Sequence, residues 1–280
     1  MDSNEELASV ARDCWQLLDL LHIPVYFAKE AAEEFGKLGL EPRAGYFASR
    51  AGGFGAVGAP VIAATFYTFS TEVIEAAIPA AWRVASPEQV LAARYRGVGA
   101  SLRRVFTDEQ VREAAGLVRE LAAGLNPRGR ALFGAHAGLD WPEDPVLALW
   151  HGATLVREHR GDGHIAALLA NRMSPVDACI TAAVHKEQSL HFHQKLHGWP
   201  DEEWQAGIHG LIDNGLLAAE SELTERGTAL RDSLEQRTDE LATEGWESFG
   251  AEAGRRLRGL LEPLVAELRA SEVLPKAFRG

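Results

Sequence analysis

The stretch Trp199–Leu217, W-P-D-E-E-W-Q-A-G-I-H-G-L-I-D-N-G-L-L, followed by Leu223–Leu230, L-T-E-R-G-T-A-L, decides how this chain is read. Asp201 stands where a helix N-cap is needed, and Asn214-Gly215 supplies a left-handed C-cap. The short apolar piece Leu216-Leu217-Ala218 and then Glu222-Leu223-Thr224 predict a small two-stranded wing. A long amphipathic helix starts at Thr224 and leads into a nearly continuous helical C-terminus.

Upstream, the signals are helical. Leu7, Val10, Cys14, Leu17, Leu18 and Leu21 recur at helical spacing in a first helix. Pro24 opens a second, reaching about Leu38. Pro42–Gly58 is rich in glycine and aromatics, which suits close helix packing or a backbone-lined pocket better than a loop. Tyr26-Phe27-Ala28 is echoed by Tyr46-Phe47-Ala48, a match too short to establish a duplication. The apolar run from Pro60 to Phe69 reads as buried helix. Ser70, Ser86-Pro87-Glu88 and Thr107-Asp108-Glu109-Gln110 read as caps of three helices, the first running Thr71–Val84. Asp144-Pro145 begins a long helix to about Asn171, which Gly161 and Gly163 are expected to weaken or kink. Ser174-Pro175 caps the next.

From Ser174 to about Leu241 the order of elements resembles the winged helix-turn-helix of multiple-antibiotic-resistance-type repressors. It rests on Trp199–Leu217, on the Leu-Thr-Glu-x-Gly start at Leu223, and on the helix carrying R-T-D-E-L-A (Arg237–Ala242). More broadly the chain is similar to a large actinobacterial family described only as helix-turn-helix proteins. G-Y-F-A-S-R (from Gly45), A-T-F-Y-T-F (from Ala64), A-A-W (from Ala80) and W-H-G-A-T-L-V-R-E-H-R-G-D-G-H-I-A-A-L (Trp150–Leu168) carry that likeness. The first resemblance implies a recognition helix in the major groove with basic residues on phosphates, and pairing into a homodimer through the long C-terminal helix. Neither resemblance supplies a reaction or a ligand.

The charge disagrees with DNA. The chain carries 28 Lys and Arg against 40 Asp and Glu, a formal net charge of −12. Between Ser174 and Gly245 five basic residues face fourteen acidic ones, and the candidate recognition helix has no Lys or Arg at all. Phosphate backbones are repelled by such a surface, so nucleic acid is not the expected partner. A patch from Arg94, Arg96, Arg103 and Arg104 is what a repressor would need. No apolar stretch reaches the roughly 18 to 20 residues of a membrane span, and the acidic start Met1–Glu6 lacks the basic region of a signal peptide. Cys14 and Cys179 read as buried thiols, and the expected location is cytoplasmic.

Chemistry-bearing residues concentrate in Trp150–Leu168. Arg157, Glu158, His159, Arg160, Asp162 and His164 fall within eight positions between apolar flanks, so their charges need partners or a ligand. Arg157 and Arg160, with His151, are candidates to hold a carboxylate or phosphate. His159 or His164, oriented by Glu158 or Asp162, are candidate catalytic acid–base groups. An internal salt-bridge network is the structural alternative. Tyr46, Arg50, Thr65 and Tyr67 are further candidates to line a small-molecule pocket. His185, His191, His193 and His197 form a second cluster in which His193 and His197 share a helical face; it reads as a solvated linker, and no metal is assigned. No cofactor is identified.

The sequence therefore predicts a mainly α protein: a helical N-terminal region (1–143), a central polar helix at the junction (144–173), a winged-helix-like region (174–245) and a C-terminal helix (246–280). The helical region is expected to pack on the winged helix. The function expected is binding of a small molecule on a winged-helix scaffold that has lost DNA contact, with specialised metabolism or resistance suggested by analogy. An enzyme using the Arg157–His164 segment and a dimeric repressor are the alternatives.

Overall fold

The computed structural model describes residues 3–279; Met1 and Asp2 of the acidic start lie outside the described residues. The fold is mainly α with one two-stranded antiparallel hairpin. Two compact units share the chain. One comprises Met1–Ala56, Ala80–Asp162 and Asp239–Gly280, the other Val57–Pro79 and Gly163–Thr238. No helix among the described residues is long and apolar enough to cross a membrane.

In the first unit the helix Ser3–His22 lies along the helix Ala251–Ala270. Val10, Cys14, Leu18 and Leu21 of the former join one buried cluster with Leu257, Leu261, Leu264 and Leu268 of the latter, the apolar stripes that 3.6-residue periodicity produces. Two sequence-legible capping boxes start the helices Pro87–Leu102 and Asp108–Ala123. Ser86 pairs with Gln89 and Thr107 with Gln110, each side chain satisfying the other residue's backbone N–H.

Four expectations are corrected. The helix expected from Pro24 to about Leu38 is divided at Ala28, whose backbone is extended, into Pro24–Phe27 and Lys29–Lys37. The helix predicted over Thr71–Val84 stops at Ala77, because Pro79 has no N–H to continue it, and resumes as Ala80–Val84. Gly161 and Gly163 leave Pro145–Ala170 unbroken, since burial of its neighbours outweighs a glycine cost of about 1 kcal/mol each. The C-terminal helix is interrupted at Gly250, which takes φ +84°, separating Glu225–Phe249 from Ala251–Ala270. Tyr26 and Tyr46, the heads of the echoed triplets, sit on two different helices with ring centroids 5.0 Å apart.

The second unit contains the winged helix: helices Pro175–His185, Leu190–His197 and Asp201–Asp213, then β1 (Leu217–Ala219) and β2 (Glu222–Leu223). Leu217 pairs with Leu223 and Ala219 with Glu222. Cys179, Ile180, Trp204, Ile208, Leu211 and Leu217 make its core. Gly215 turns the chain into β1 at φ +65°. Thr224 then donates its hydroxyl to the Gly215 carbonyl (2.8 Å) and accepts from the Gly227 N–H (3.0 Å). A Cβ on Gly227 would stand 2.1 Å from the Leu216 carbonyl oxygen, which is why the helix after the wing begins Leu-Thr-Glu-x-Gly. Part of the N-terminal half joins this unit: Trp199 Nε1 donates to the Thr68 carbonyl (2.9 Å), and the Ser70 N–H to that of His197 (2.9 Å).

Replacing Thr107 by Ala removes the cap of Asp108–Ala123, whose apolar face carries Val111, Val118 and Leu121 into the core. Urea unfolding is expected to show a loss of about 1 kcal/mol.

Candidate functional site

Five helices of the first unit place polar side chains into one buried centre. His22 ends Ser3–His22 and Tyr26 follows on Pro24–Phe27. Tyr46, Ser49 and Arg50 come from Pro42–Ala51, and Arg94 and Tyr95 from Pro87–Leu102. Trp150, Thr154 and Glu158 recur every four residues along Pro145–Ala170.

Arg50 and Glu158 form a two-point ion pair: Nε reaches Oε1 at 2.9 Å and one terminal nitrogen reaches Oε2 at 2.7 Å. Burial works against the Glu158 carboxylate, but the Arg50 guanidinium more than offsets it and holds the group well below the usual range. Tyr46 Oη accepts from the other terminal nitrogen of Arg50 (3.3 Å).

His22 is oriented from both sides. The Thr154 hydroxyl donates to the Trp150 carbonyl (3.1 Å), so its oxygen accepts from His22 Nδ1–H at 3.0 Å. His22 Nε2 is then the acceptor, 3.0 Å from Tyr26 Oη. The imidazole lies flat on Trp150, centroids 5.4 Å apart and planes 6° apart. His136 donates from Nε2 to the Arg50 carbonyl (3.0 Å), and His151 Nδ1 bonds Tyr95 Oη (2.7 Å). Burial, with Arg94 next in weight, keeps all three neutral, His136 pushed down to about 3 and His151 to about 4.

Arg94 is the unusual member. It is 0% exposed, and among the described residues no carboxylate pairs with it. Its guanidinium carbon stands 5.0 Å from the Trp150 ring centre and 5.7 Å from that of Tyr26. Among the described residues its hydrogen bonds are long, 3.4 Å to Ser49 Oγ and 3.5 Å to His22 Nε2, and Nε has no acceptor.

The charged side chains of the segment singled out from sequence find partners within the fold. Arg157 pairs with Asp19 and lies over the Tyr26 ring. His159 is buried edge-on to Phe133, and burial pushes it down to about 3. Arg160 pairs with Asp239 (2.8 Å) and stacks on Trp15 at 3.8 Å. A cleft of about 10 Å³, room for one water, is lined by His159, Arg160 and Asp239. Asp162 accepts from the Phe133 N–H (2.9 Å) at the start of Ala131–Ala137, and burial raises it to about 6. His164 belongs to the second unit, where Nδ1 bonds Thr238 Oγ1 (2.8 Å).

Tyr46 and Arg50 belong to the buried centre, while Thr65 and Tyr67 belong to the second unit. There the Thr65 hydroxyl donates to the Ile62 carbonyl (3.0 Å) and that of Tyr67 to Met173 (2.6 Å). The histidine stretch is not a linker: it is the helix Leu190–His197 with His193 and His197 half-buried, because it is the second helix of the winged helix. His22, His136 and the central role of Arg94 were missed. The available signal was that Arg94 stands four residues from both Val90 and Val98, on the apolar stripe of its helix.

A family model described as a helix-turn-helix family matches residues 11–275. The chain belongs to that helix-turn-helix family. No curated protein and no solved structure matches it. In this helix-turn-helix protein the third helix of the motif exposes Asp201, Glu202, Glu203, Gln205, His209 and Asp213, and the wing exposes Glu220 and Glu222. The four arginines a basic patch would need do not supply one: Arg94 is buried, Arg96 pairs with Glu34, Arg103 with Asp108 and Asp144, and Arg104 with Glu30.

Replacing Glu158 by Gln leaves Arg50 buried without its counter-charge, and a loss of about 3–5 kcal/mol in urea unfolding is expected. His22, His136, His151 and His159 stay neutral in the fold but bind protons once unfolded below about pH 6.5. Stability therefore falls as pH drops through that value. Asp162, raised in the fold, takes up a proton on folding between its ordinary value and about 6 and opposes this by one proton. Near pH 5 the expected slope is about three protons, or roughly 4 kcal/mol per pH unit. Urea midpoints measured from pH 7 to 4.5 check it, and His136→Gln is expected to reduce the slope by about one proton.

Proposed function

We propose that this chain binds a small molecule bearing a carboxylate or phosphate, received by Arg94 in the buried centre of the helical unit. Its winged helix serves as scaffold and not as a reader of DNA. The observation that carries the reading is a fully buried guanidinium with, among the described residues, no acid partner and no acceptor for Nε. Arg50 pairs with Glu158 and Arg157 with Asp19, among the described residues no acid pairs with Arg94, and the neighbouring histidines are neutral. One negative charge would balance the centre. Arg offers a planar fork that matches carboxylate and phosphate oxygens, and Trp150 and Tyr26 give it aromatic faces. The acidic recognition helix and wing support the second half of the reading, since DNA affinity comes largely from phosphate contacts.

A buried cation held for a ligand costs stability in its absence. The variant Arg94→Met is accordingly expected to be at least as stable as wild type without ligand, with a gain of up to about 4 kcal/mol. Thermal melts against mono- and dicarboxylates, inorganic phosphate and phosphate monoesters are expected to raise the wild-type Tm and leave the variant's unchanged. Native mass spectrometry of the purified protein reads the same dependence. No stabilising anion, or equal stabilisation of both proteins, defeats the ligand reading. Salt-sensitive binding of duplex DNA at physiological ionic strength defeats the scaffold reading.

A further inference from the structure

The winged-helix unit holds a second constellation that the anion site does not use. Cys179 projects from the helix Pro175–His185, and His193 and His197 stand one turn apart on Leu190–His197. One ligand atom from each lies within 4.8 Å of the others. We propose that Cys179, His193 and His197 bind a zinc-class divalent ion that ties the first helix of the winged helix to the second.

The hydrogen bonds around the two imidazoles support this. His197 Nδ1 lies 2.9 Å from the His193 carbonyl oxygen, which only an N–H can satisfy. His193 Nε2 lies 2.7 Å from Gln188 Oε1; that N–H donates to the amide oxygen and leaves Nδ1 with the lone pair. Each ring thus has one nitrogen anchored to an oxygen acceptor, the arrangement that outer-sphere partners impose on metal-binding histidines. The rings lie nearly parallel, 12° apart with centroids at 5.6 Å, so the pair is already aligned. Phe69 packs at 4.7 Å on His197, and the His197 carbonyl accepts from the Ser70 N–H, which fixes that end of the helix.

Cys179 is buried, and burial pushes its thiol up to about 12. A bound cation reverses that: the S–H bond breaks, the sulfur–metal bond forms from the sulfur lone pair, and one proton leaves to solvent. Tetrahedral zinc with nitrogen at about 2.0 Å and sulfur at about 2.3 Å needs ligand atoms roughly 3.3–3.6 Å apart, so the three close by about 1 Å. Rotation about side-chain bonds supplies that movement. Three protein ligands leave a fourth position for water, and the mixed thiolate–imidazole set favours zinc over magnesium or calcium.

The test uses the full chain without a histidine tag. Cobalt(II) is titrated as a spectroscopic substitute, with zinc competing it off. The expected result is one ion per chain, a thiolate-to-cobalt charge-transfer band in the near ultraviolet, and about one proton released per ion. Cys179→Ser is expected to abolish the band, and His193→Ala and His197→Ala to weaken binding at least tenfold with far-ultraviolet circular dichroism unchanged. A wild type that binds no cobalt at micromolar concentration overturns the proposal, as does a spectrum that Cys179→Ser leaves intact. Should the variants fail to fold, peptide-mapped alkylation of the wild type decides: zinc slowing the labelling of Cys179 but not Cys14 supports the site, and equal or no slowing overturns it.

Discussion

The ion pair between Arg50 and Glu158 is the constraint on which the helical unit depends. A charge taken out of water costs several kcal/mol unless a partner of opposite sign meets it with good geometry. Here the geometry is two parallel hydrogen bonds linking the helix Pro42–Ala51 to the long helix Pro145–Ala170. Glu158 therefore stays ionised despite complete burial, and the Arg50 backbone carbonyl, held in place by the same pair, receives His136. The remaining polar groups are arranged around this fixed centre.

Around the pair the centre is kept electrically sparse. Burial suppresses the charge of His22, His136 and His151, and the Thr154–His22–Tyr26 chain of hydrogen bonds fixes one tautomer of His22. That leaves Arg94 as a cation without an anion, wedged between Trp150 and Tyr26. Ring faces attract a guanidinium by about 1–2 kcal/mol in a dry site, less than its desolvation costs. The proposed anion would relieve that imbalance.

The winged-helix unit shows how far a fold constrains function. Its turn glycine, its wing and the Thr224 contacts all conform to the helix-turn-helix family, because each answers a backbone requirement. The surface answers no such requirement, and Asp201, Glu202 and Glu203 stand exposed where phosphate contacts would need cations. The same unit brings ligand atoms of Cys179 and of two histidines, which sequence spacing alone places on one helical face, within 4.8 Å of one another.

The sequence by itself determined the helical content, the caps at Ser86, Thr107 and Ser174, the wing at Leu217–Leu223 and the acidity of the recognition helix. These are local properties: periodicity, turn chemistry and charge are written in neighbouring residues. It also marked Arg157–His164 as a polar, charged segment that needed partners, without naming them. Only the tertiary structure supplied Asp19 for Arg157, Arg50 for Glu158 and Asp239 for Arg160. It alone showed that Arg94 has no such partner among the described residues, and that Cys179 lies near His193 and His197. Which charge meets which depends on helices distant in the chain being brought side by side, and one-dimensional spacing carries no record of that.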